Sequence, residues 1–366
     1  MKVFDFFGSY QIPRPFILKI NSGADSQITI PTDANFTYNY SIKTLKVSDS
    51  SQIQSFTSVT GNQLINFADA NTDYFIKISG FFPTITIDEN SEKLKFLDII
   101  QFGSLIWSTF DKSFFGSNNL IISATDFPNL TIANNTGFML SECGELLTHE
   151  NFNMSNITIS RSMYAYCSKF NPASFSSLLE NIVNAGSMFR DCDLFNPSDF
   201  SPTLENLTIG GRMFINNNVF NPPNFNPNFK SLIEADFMFQ SCINFDQDII
   251  QNDSINGTVN LKEVRNMFNG IKSRVIKLQA GNIDLATSNS FNCALLEELQ
   301  LIEMSISFTI EHSPLLAGFG LNNLANSVKD MTGLNSPTVT MLSAQYSSTG
   351  FTPSLFTNKN WTISQV

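Results

Sequence analysis

Five cysteines, two histidines and two close pairs of aspartates are the side chains with which this 366-residue chain could do chemistry. Cys143, Cys167, Cys192, Cys242 and Cys293 are odd in number and far apart. A zinc site needs ligands paired at short spacing and a disulfide framework needs an even set, so neither is expected. His149 and His312 have no second histidine or cysteine at ligand spacing, and His149 stands in a polar stretch that reads as a loop. The acid pairs Asp191/Asp193 and Asp246/Asp248 lack the further oxygen ligands and the glycine turn of a calcium loop, and read as solvated turn acids. No Gly-x-Ser-x-Gly elbow or phosphate-cradling glycine loop is present, and Gly210-Gly211 reads as a turn. The expectation is a chain that is not an enzyme and holds no metal or cofactor. A polysaccharide-acting enzyme is the minor alternative, because its two separated carboxylates carry no sequence signature.

What the cysteines do share is a place in a repeat. An apolar residue opens each copy, at Phe114, Met139, Met163, Met188, Met213, Met238, Met267 and Ser290, at intervals of 25, 24, 25, 25, 25, 29 and 23 residues. Four cysteines follow a repeat methionine by four residues, Cys293 is read in the corresponding slot after Ser290, and Asn118, Asn217 and Ile271 fill the slot elsewhere. Residues at equivalent positions stack when such repeats pile into a solenoid. Cysteine is among the most buried residue types, so the five cysteines with Met163, Met188, Met213, Met238 and Met267 are expected to form a ladder of small buried side chains. The 29-residue interval marks an insertion, and its residues Asn252, Asp253, Ser254 and Asn256 are the candidate binding loop.

The elements that must carry this ladder follow from local pattern. Residues 16–20, 27–30, 36–40, 74–78 and 84–87 are short, β-branched and aromatic runs between turn residues, which predicts an N-terminal β-sandwich (Ig- or PKD-like) over residues 15–90. Residues 1–14 read as an arm, because Phe4, Phe6 and Phe7 are too apolar for a free tail. The solenoid is expected over residues 91–312. Within a rung, Met188, Cys192 and Phe195 stand at i, i+4 and i+7, which predicts a short helical turn, stopped at Asn196-Pro197. Residues 179–183 and 204–209 predict the strand of each rung. Beyond, an amphipathic helix is expected over 315–331, a strand over 337–341 and a helix or turn over 351–361. Together, residues 313–366 form a small C-terminal α/β cap for the last rung. The fold expected is mainly β with short helical turns.

Composition excludes some partners. The net charge is -11 and charged residues are only 14%, which argues against a nucleic-acid surface. Asparagine abundance reads as an AT-rich genome, and sequons such as those at Asn206 and Asn256 follow from it. No apolar run is long enough to cross a bilayer. The N-terminus has no uninterrupted apolar core of a signal peptide.

The repeat Met188-Phe189-Arg190-Asp191-Cys192-Asp193-Leu194-Phe195-Asn196 resembles the BspA-like leucine-rich-repeat surface proteins, in the variety of roughly 25-residue repeats found in Bacteroidetes, mycoplasmas and some of their phages. The resemblance covers about residues 94–300, with residues 75–83 and 360–363 similar to the flanking regions. It implies a leucine-rich-repeat-like solenoid and a surface-displayed adhesion or interaction protein, with no catalytic residues to carry over. The export signals and anchors of family members are missing here, so the expectation is a phage virion component (tail, fibre or capsid decoration), with a bacterial cell-surface adhesin as the alternative. The expected partners are other virion or surface proteins, or a host surface receptor or glycan, within an oligomeric assembly.

Overall fold

The computed structural model describes residues 3–4, 10–11, 13–88, 91–148, 152–175, 179–200, 202–223, 225, 227–251, 258, 260–287 and 289–366. The chain is mainly β, with about ten turns of β-solenoid. It divides into two compact units, Met1–Pro172 and Ala173–Val366.

In the first unit, alternation sets the faces of the strands. Phe16–Asn21 buries Phe16, Leu18 and Ile20 completely and turns Ile17 and Lys19 the other way. It is central in a six-stranded sheet of order Ile121–Ile122, Phe96–Gln101, Phe16–Asn21, Asp73–Phe81, Asn39–Lys46, Gln52–Val59. A two-stranded ribbon pairs Gln27–Ile30 with Gln63–Asn66. Phe16 meets the edge of Trp107 at 5.0 Å, and Tyr40 meets Phe82 at 4.8 Å, so aromatic packing fills the core that the alternation creates. Phe96–Gln101 is antiparallel to Phe16–Asn21 but parallel to Ile121–Ile122, so one strand carries both the antiparallel sheet and the first parallel coil pairing. Within residues 15–90 two strands were not expected, Gln52–Val59 and Gln63–Asn66. The run expected at 36–40 begins only at Asn39, and residues 84–87 form no strand although Ile85 and Ile87 are buried.

The coils use their amides in alternation. In the second unit Ala185, Ser187, Phe189 and Asp191 donate to the carbonyls of Ile209, Gly211, Met213 and Ile215, one coil on, at 2.9–3.0 Å. Between them Met188 and Arg190 donate three residues back, to Ala185 and Ser187. The pattern repeats from Gly210, Arg212, Phe214 and Asn216, and again from Ala235, Phe237, Phe239 and Ser241. In the first unit Thr136, Phe138, Leu140 and Glu142 donate to Ile159, Arg161, Met163 and Ala165. This ladder requires left-handed backbone twice per coil, at Phe138 and Glu142 (φ 53° and 63°), Ser187 and Asp191 (59° and 54°), and Arg212 and Asn216 (60° and 64°).

The expected helical turn is therefore corrected. Left-handed residues interrupt a right-handed run, and alternate amides are committed to the neighbouring coil, so i to i−4 bonding cannot propagate. The rung strand is corrected too. Residues 179–183 are turn and irregular backbone, as are 204–208, and pairing there is a single parallel bridge, Asn184 to Ile209. The coil strands lie elsewhere, at Ser174–Phe175 and Asp199–Phe200, and in a three-stranded parallel sheet of Ile249–Gln251, Val275–Gln279 and Glu298–Ile302. Two registers also shift. Phe114 donates to the Met139 carbonyl as Phe189 does to Met213, so Ser113 occupies the methionine slot and Ser117 the cysteine slot of that coil. Cys293 follows Ser290 by three residues, one fewer than in the other coils.

Three columns of phenylalanine fill the second unit. Phe189, Phe214 and Phe239 stack at 5.8 and 5.4 Å, Phe195, Phe220 and Phe245 at 5.8 Å, and Phe175, Phe200 and Phe225 at 5.9 and 5.7 Å. The tail holds a parallel sheet of Phe308–Thr309, Thr338–Met341 and Thr362–Gln365. Its helix, Gly318–Ser327, is shorter than the 315–331 expected, because Val328 turns extended. Residues 351–361 contain only the short helix Ser354–Thr357 before Trp361, whose indole N–H donates to the Lys329 carbonyl at 2.9 Å.

Candidate functional site

The cysteine slot is built by the coil turn. All five cysteines are free and buried, and Met163, Met188, Met213, Met238 and Met267 are buried beside them. In the first unit the Cys143 thiol donates to the Phe114 carbonyl at 3.4 Å and the Cys167 thiol to the Leu140 carbonyl at 2.9 Å. In the second unit Cys242 donates to Phe214 at 2.9 Å and Cys293 to Phe268 at 3.4 Å. Each acceptor is the carbonyl one residue past the methionine slot of the preceding coil. In these four coils the slot holds a small donor, whereas the buried Ser117 hydroxyl finds no partner among the described residues and Ile271 offers no donor at all.

Asn217 and Ser313 make the same use of it. Asn217 donates its amide to the Phe189 carbonyl at 2.7 Å, and its oxygen accepts the Cys192 N–H at 2.8 Å. Ser313 donates to the Phe291 carbonyl at 2.6 Å and accepts the Cys293 N–H at 3.1 Å. An unsatisfied buried carbonyl or amide costs about 1–3 kcal/mol, which sets the scale of each choice. Burial pushes the Cys143, Cys242 and Cys293 thiols well up, and the Cys167 thiol up to about 12. A nucleophilic or metal-binding cysteine needs its thiolate near neutral pH, and these four are held in the opposite state.

Asparagines stitch the outside. Asn156, Asn206 and Asn260 donate their side-chain amides to the carbonyls of Thr131, Glu180 and Lys230 one coil back, at 3.2, 2.6 and 3.2 Å. The Asn196 side-chain oxygen accepts the Asn221 N–H at 2.8 Å, and that of Asn221 accepts the Asp246 N–H at 3.2 Å. Base composition alone therefore does not account for the asparagine richness, and the Asn206 sequon nitrogen is already engaged. Ion pairs follow the same spacing: Lys169 with Glu145 and Lys230 with Glu205. Arg265 clamps the buried carboxylate of Asp236 through its backbone N–H and guanidinium. Arg161 lies over Phe138 and Arg212 over Phe237, each at 4.7 Å.

The remaining candidates are dispersed. Asp191 accepts from Arg190 and Asn216, Asp246 from the Asn221 side chain, while Asp193 and Asp248 are exposed. Among the described residues no group of three or more His, Cys, Asp or Glu is placed to hold a metal ion. His312 lies 3.2 Å from Glu311, and His149 falls outside the described residues. Phe4 belongs to a strand pair, Val3–Phe4 with Tyr10–Gln11; Phe6 and Phe7 fall outside the described residues, as do Asn252, Asp253, Ser254 and Asn256. Arg14, expected in the arm, is fixed by hydrogen bonds to Ser104 and Gln101 and by an ion pair with Asp126. Sequence reasoning missed a surface groove in the first unit lined by Lys93, Leu94, Gly116, Asn118, Glu142 and Tyr166. Its residues come from three successive coils and the turn before them, and only the coil register brings them together.

Coils of this kind have a counterpart. A family model described as "Mycoplasma protein of unknown function, DUF285" matches residues 134–254 and 179–280. The chain is similar to that repeat family over less than half its length. No curated protein and no solved structure matches it. Among the described residues no helix is long and apolar enough to cross a membrane.

Proposed function

We propose that the chain is a non-enzymatic structural and adhesion protein, a phage virion component of the tail, fibre or capsid decoration, which presents its coil surface to a host or to neighbouring subunits. The observation that carries this reading is the use made of the reactive side chains. Four of the cysteines, several asparagines and lysines such as Lys169 and Lys230 are spent on bonds from one coil to the next, and their regularity suits a surface displayed over distance. The finer architecture proposed is a BspA-like, leucine-rich-repeat-like solenoid between an N-terminal β-sandwich and a C-terminal cap. The sandwich is supported by the ribbon Gln27–Ile30/Gln63–Asn66 beside the larger sheet, and the cap by the parallel sheet and helix beyond residue 308. Mass spectrometry of purified virions, against a surface fraction of the producing cells, tests the placement. Enrichment in virions is expected; enrichment in the cell-surface fraction would overturn it in favour of an adhesin.

A further inference from the structure

We propose that the outer edge of Gln52–Val59 pairs with the same strand of a second copy of this chain, antiparallel and across a two-fold axis. The two six-stranded sheets would then join edge to edge. This rests on the reading of the chain as part of an assembly, and adds the surface and the partner.

Gln52–Val59 closes one end of the six-stranded sheet and is paired on one side only, with Asn39–Lys46. In an antiparallel pair every second residue turns its N–H and C=O away from the neighbouring strand. The Gln54 N–H donates inward, to the Thr44 hydroxyl at 3.0 Å, so Ser55 presents its backbone groups outward. Among the described residues no hydrogen bond reaches that outer side. Register shifts lie on either side and leave Gln54, Ser55 and Phe56 opposite Thr44, Lys43 and Ile42 in regular order. Ile53, Ser55 and Thr57 have exposed side chains, while Gln54 and Phe56 are half-buried.

Open edges are blunted in native proteins by charge, proline or cover. The neighbouring ribbon shows that protection. On the outer side of Gln27–Ile30 the Thr29 N–H donates to the Glu92 carboxylate, and the Gln27 carbonyl accepts the Lys95 ammonium at 2.9 Å. On Gln63–Asn66 the Asn66 carbonyl accepts the Gln54 side-chain amide. Gln52–Val59 has neither charge nor proline of its own, and residues 50–68 contain none of either.

Charge and symmetry select the occupant. Two copies that each carry a net charge of -11 repel unless they meet on a neutral surface, which this edge supplies. A basic partner would find no carboxylate on it. An antiparallel strand can pair with its own copy around a two-fold, so one surface serves both sides. With the axis at Ser55, that residue faces Ser55 of the second copy and exchanges both backbone bonds with it. Ile53, 40% exposed in the single chain, then stands opposite Thr57 and gains a β-branched neighbour. So short a contact falls below a standard interface of about 1,200–2,000 Å², so the pair should be reversible, with a Kd of about 1–100 μM.

The test is analytical ultracentrifugation of the full chain from about 1 to 200 μM, where a monomer–dimer equilibrium is expected. Ser55→Lys and Ser55→Glu each set like charges across the axis and should weaken pairing about tenfold or more. An equimolar mixture of the two should restore a heterodimer, because opposite charges then face each other. Ser55 is exposed, so both variants should fold, and circular dichroism checks that they do. Thr57→Lys, at the next exposed position on that face, should give the same loss and keeps the test decisive if either fails to fold. A chain monomeric throughout the range, a dimer indifferent to these variants, or charge variants that do not pair when mixed would overturn the proposal. So would concentration-independent protection of the Ser55 amide in the dilute monomer, which would place another segment of the same chain on this edge. None of these outcomes bears on the virion measurement, so the two readings fail separately.

Discussion

Raising the pH should unfold this protein through its buried thiols. Cys143 and Cys167 in the first unit, and Cys242 and Cys293 in the second, all have folded pKa values raised by burial. A group whose folded pKa is raised lends stability that is complete below its unfolded pKa and disappears as pH climbs toward the folded value. The window therefore opens near the ordinary thiol pKa of about 8.5 and, for Cys167, extends to about 12. Within it each thiol costs about 1.4 kcal/mol per pH unit, so each compact unit with two such thiols should lose roughly 3 kcal/mol per unit of pH above about 9. Domain stabilities are typically about 5–15 kcal/mol, so the loss should be visible within one pH unit. Tyr38, Tyr40 and Tyr74 are also pushed up by burial and add to the effect above about pH 10, so the clean interval lies below that. Urea unfolding at steps of pH across the interval is the assay. Cys242→Ser keeps a donor in its slot and should reduce the pH slope of the second unit by about half. A stability independent of pH over the interval, or native alkylation of these thiols by iodoacetamide at neutral pH, would refute the reasoning.

Other expectations follow from the same contacts. Asn217→Ala removes two buried hydrogen bonds and should cost about 2–4 kcal/mol in chemical denaturation, whereas Asn217→Cys, which restores the donor, should recover part of it. Phe214→Ala opens a hole between Phe189 and Phe239 and should cost about 3–5 kcal/mol by the same assay. Gly103→Ala would place a Cβ 2.3 Å from the Pro15 carbonyl oxygen at a φ of 70°, so thermal melting should fall sharply or the protein should fail to accumulate. Removing residues 1–12 should leave the melting temperature nearly unchanged but abolish incorporation into the parent assembly. Extending the cut through Arg14 should lower the melting temperature as well, since Arg14 ties to Gln101, Ser104 and Asp126.

The period of the coils was legible because Met, Phe and Cys return to positions that all face one interior. Their burial at Met188, Phe189 and Cys192 is what a repeated apolar pattern records. The sign of φ is not recorded that way. Ser187, Asp191, Arg212 and Asn216 are left-handed without being glycine, and only Gly116 and Gly270 hinted at such backbone. The i, i+4, i+7 spacing therefore pointed to a helix that the inter-coil amide bonds forbid. The donor role of the cysteine slot was visible in principle, since Asn217 and Ser313 share little with cysteine except size and the ability to donate. The groove was not legible. Lys93 lies outside the repeat, and its place over Gly116 depends on coil register that spacing alone does not fix.

The central claim is that each coil is held to the next by alternate amides around left-handed residues, with reactive side chains consumed in the same stitching. Residue-resolved hydrogen exchange tests it most directly. Ser187, Phe189 and Asp191, and their counterparts Arg212, Phe214, Asn216, Phe237, Phe239 and Ser241, donate only across the coil boundary to the carbonyls found opposite them. Their amides should exchange at rates set by unfolding of the whole unit. Exchange of Ser187, Asp191, Arg212 and Asn216 at the rate of unstructured peptide, while neighbouring amides stay protected, would contradict the account.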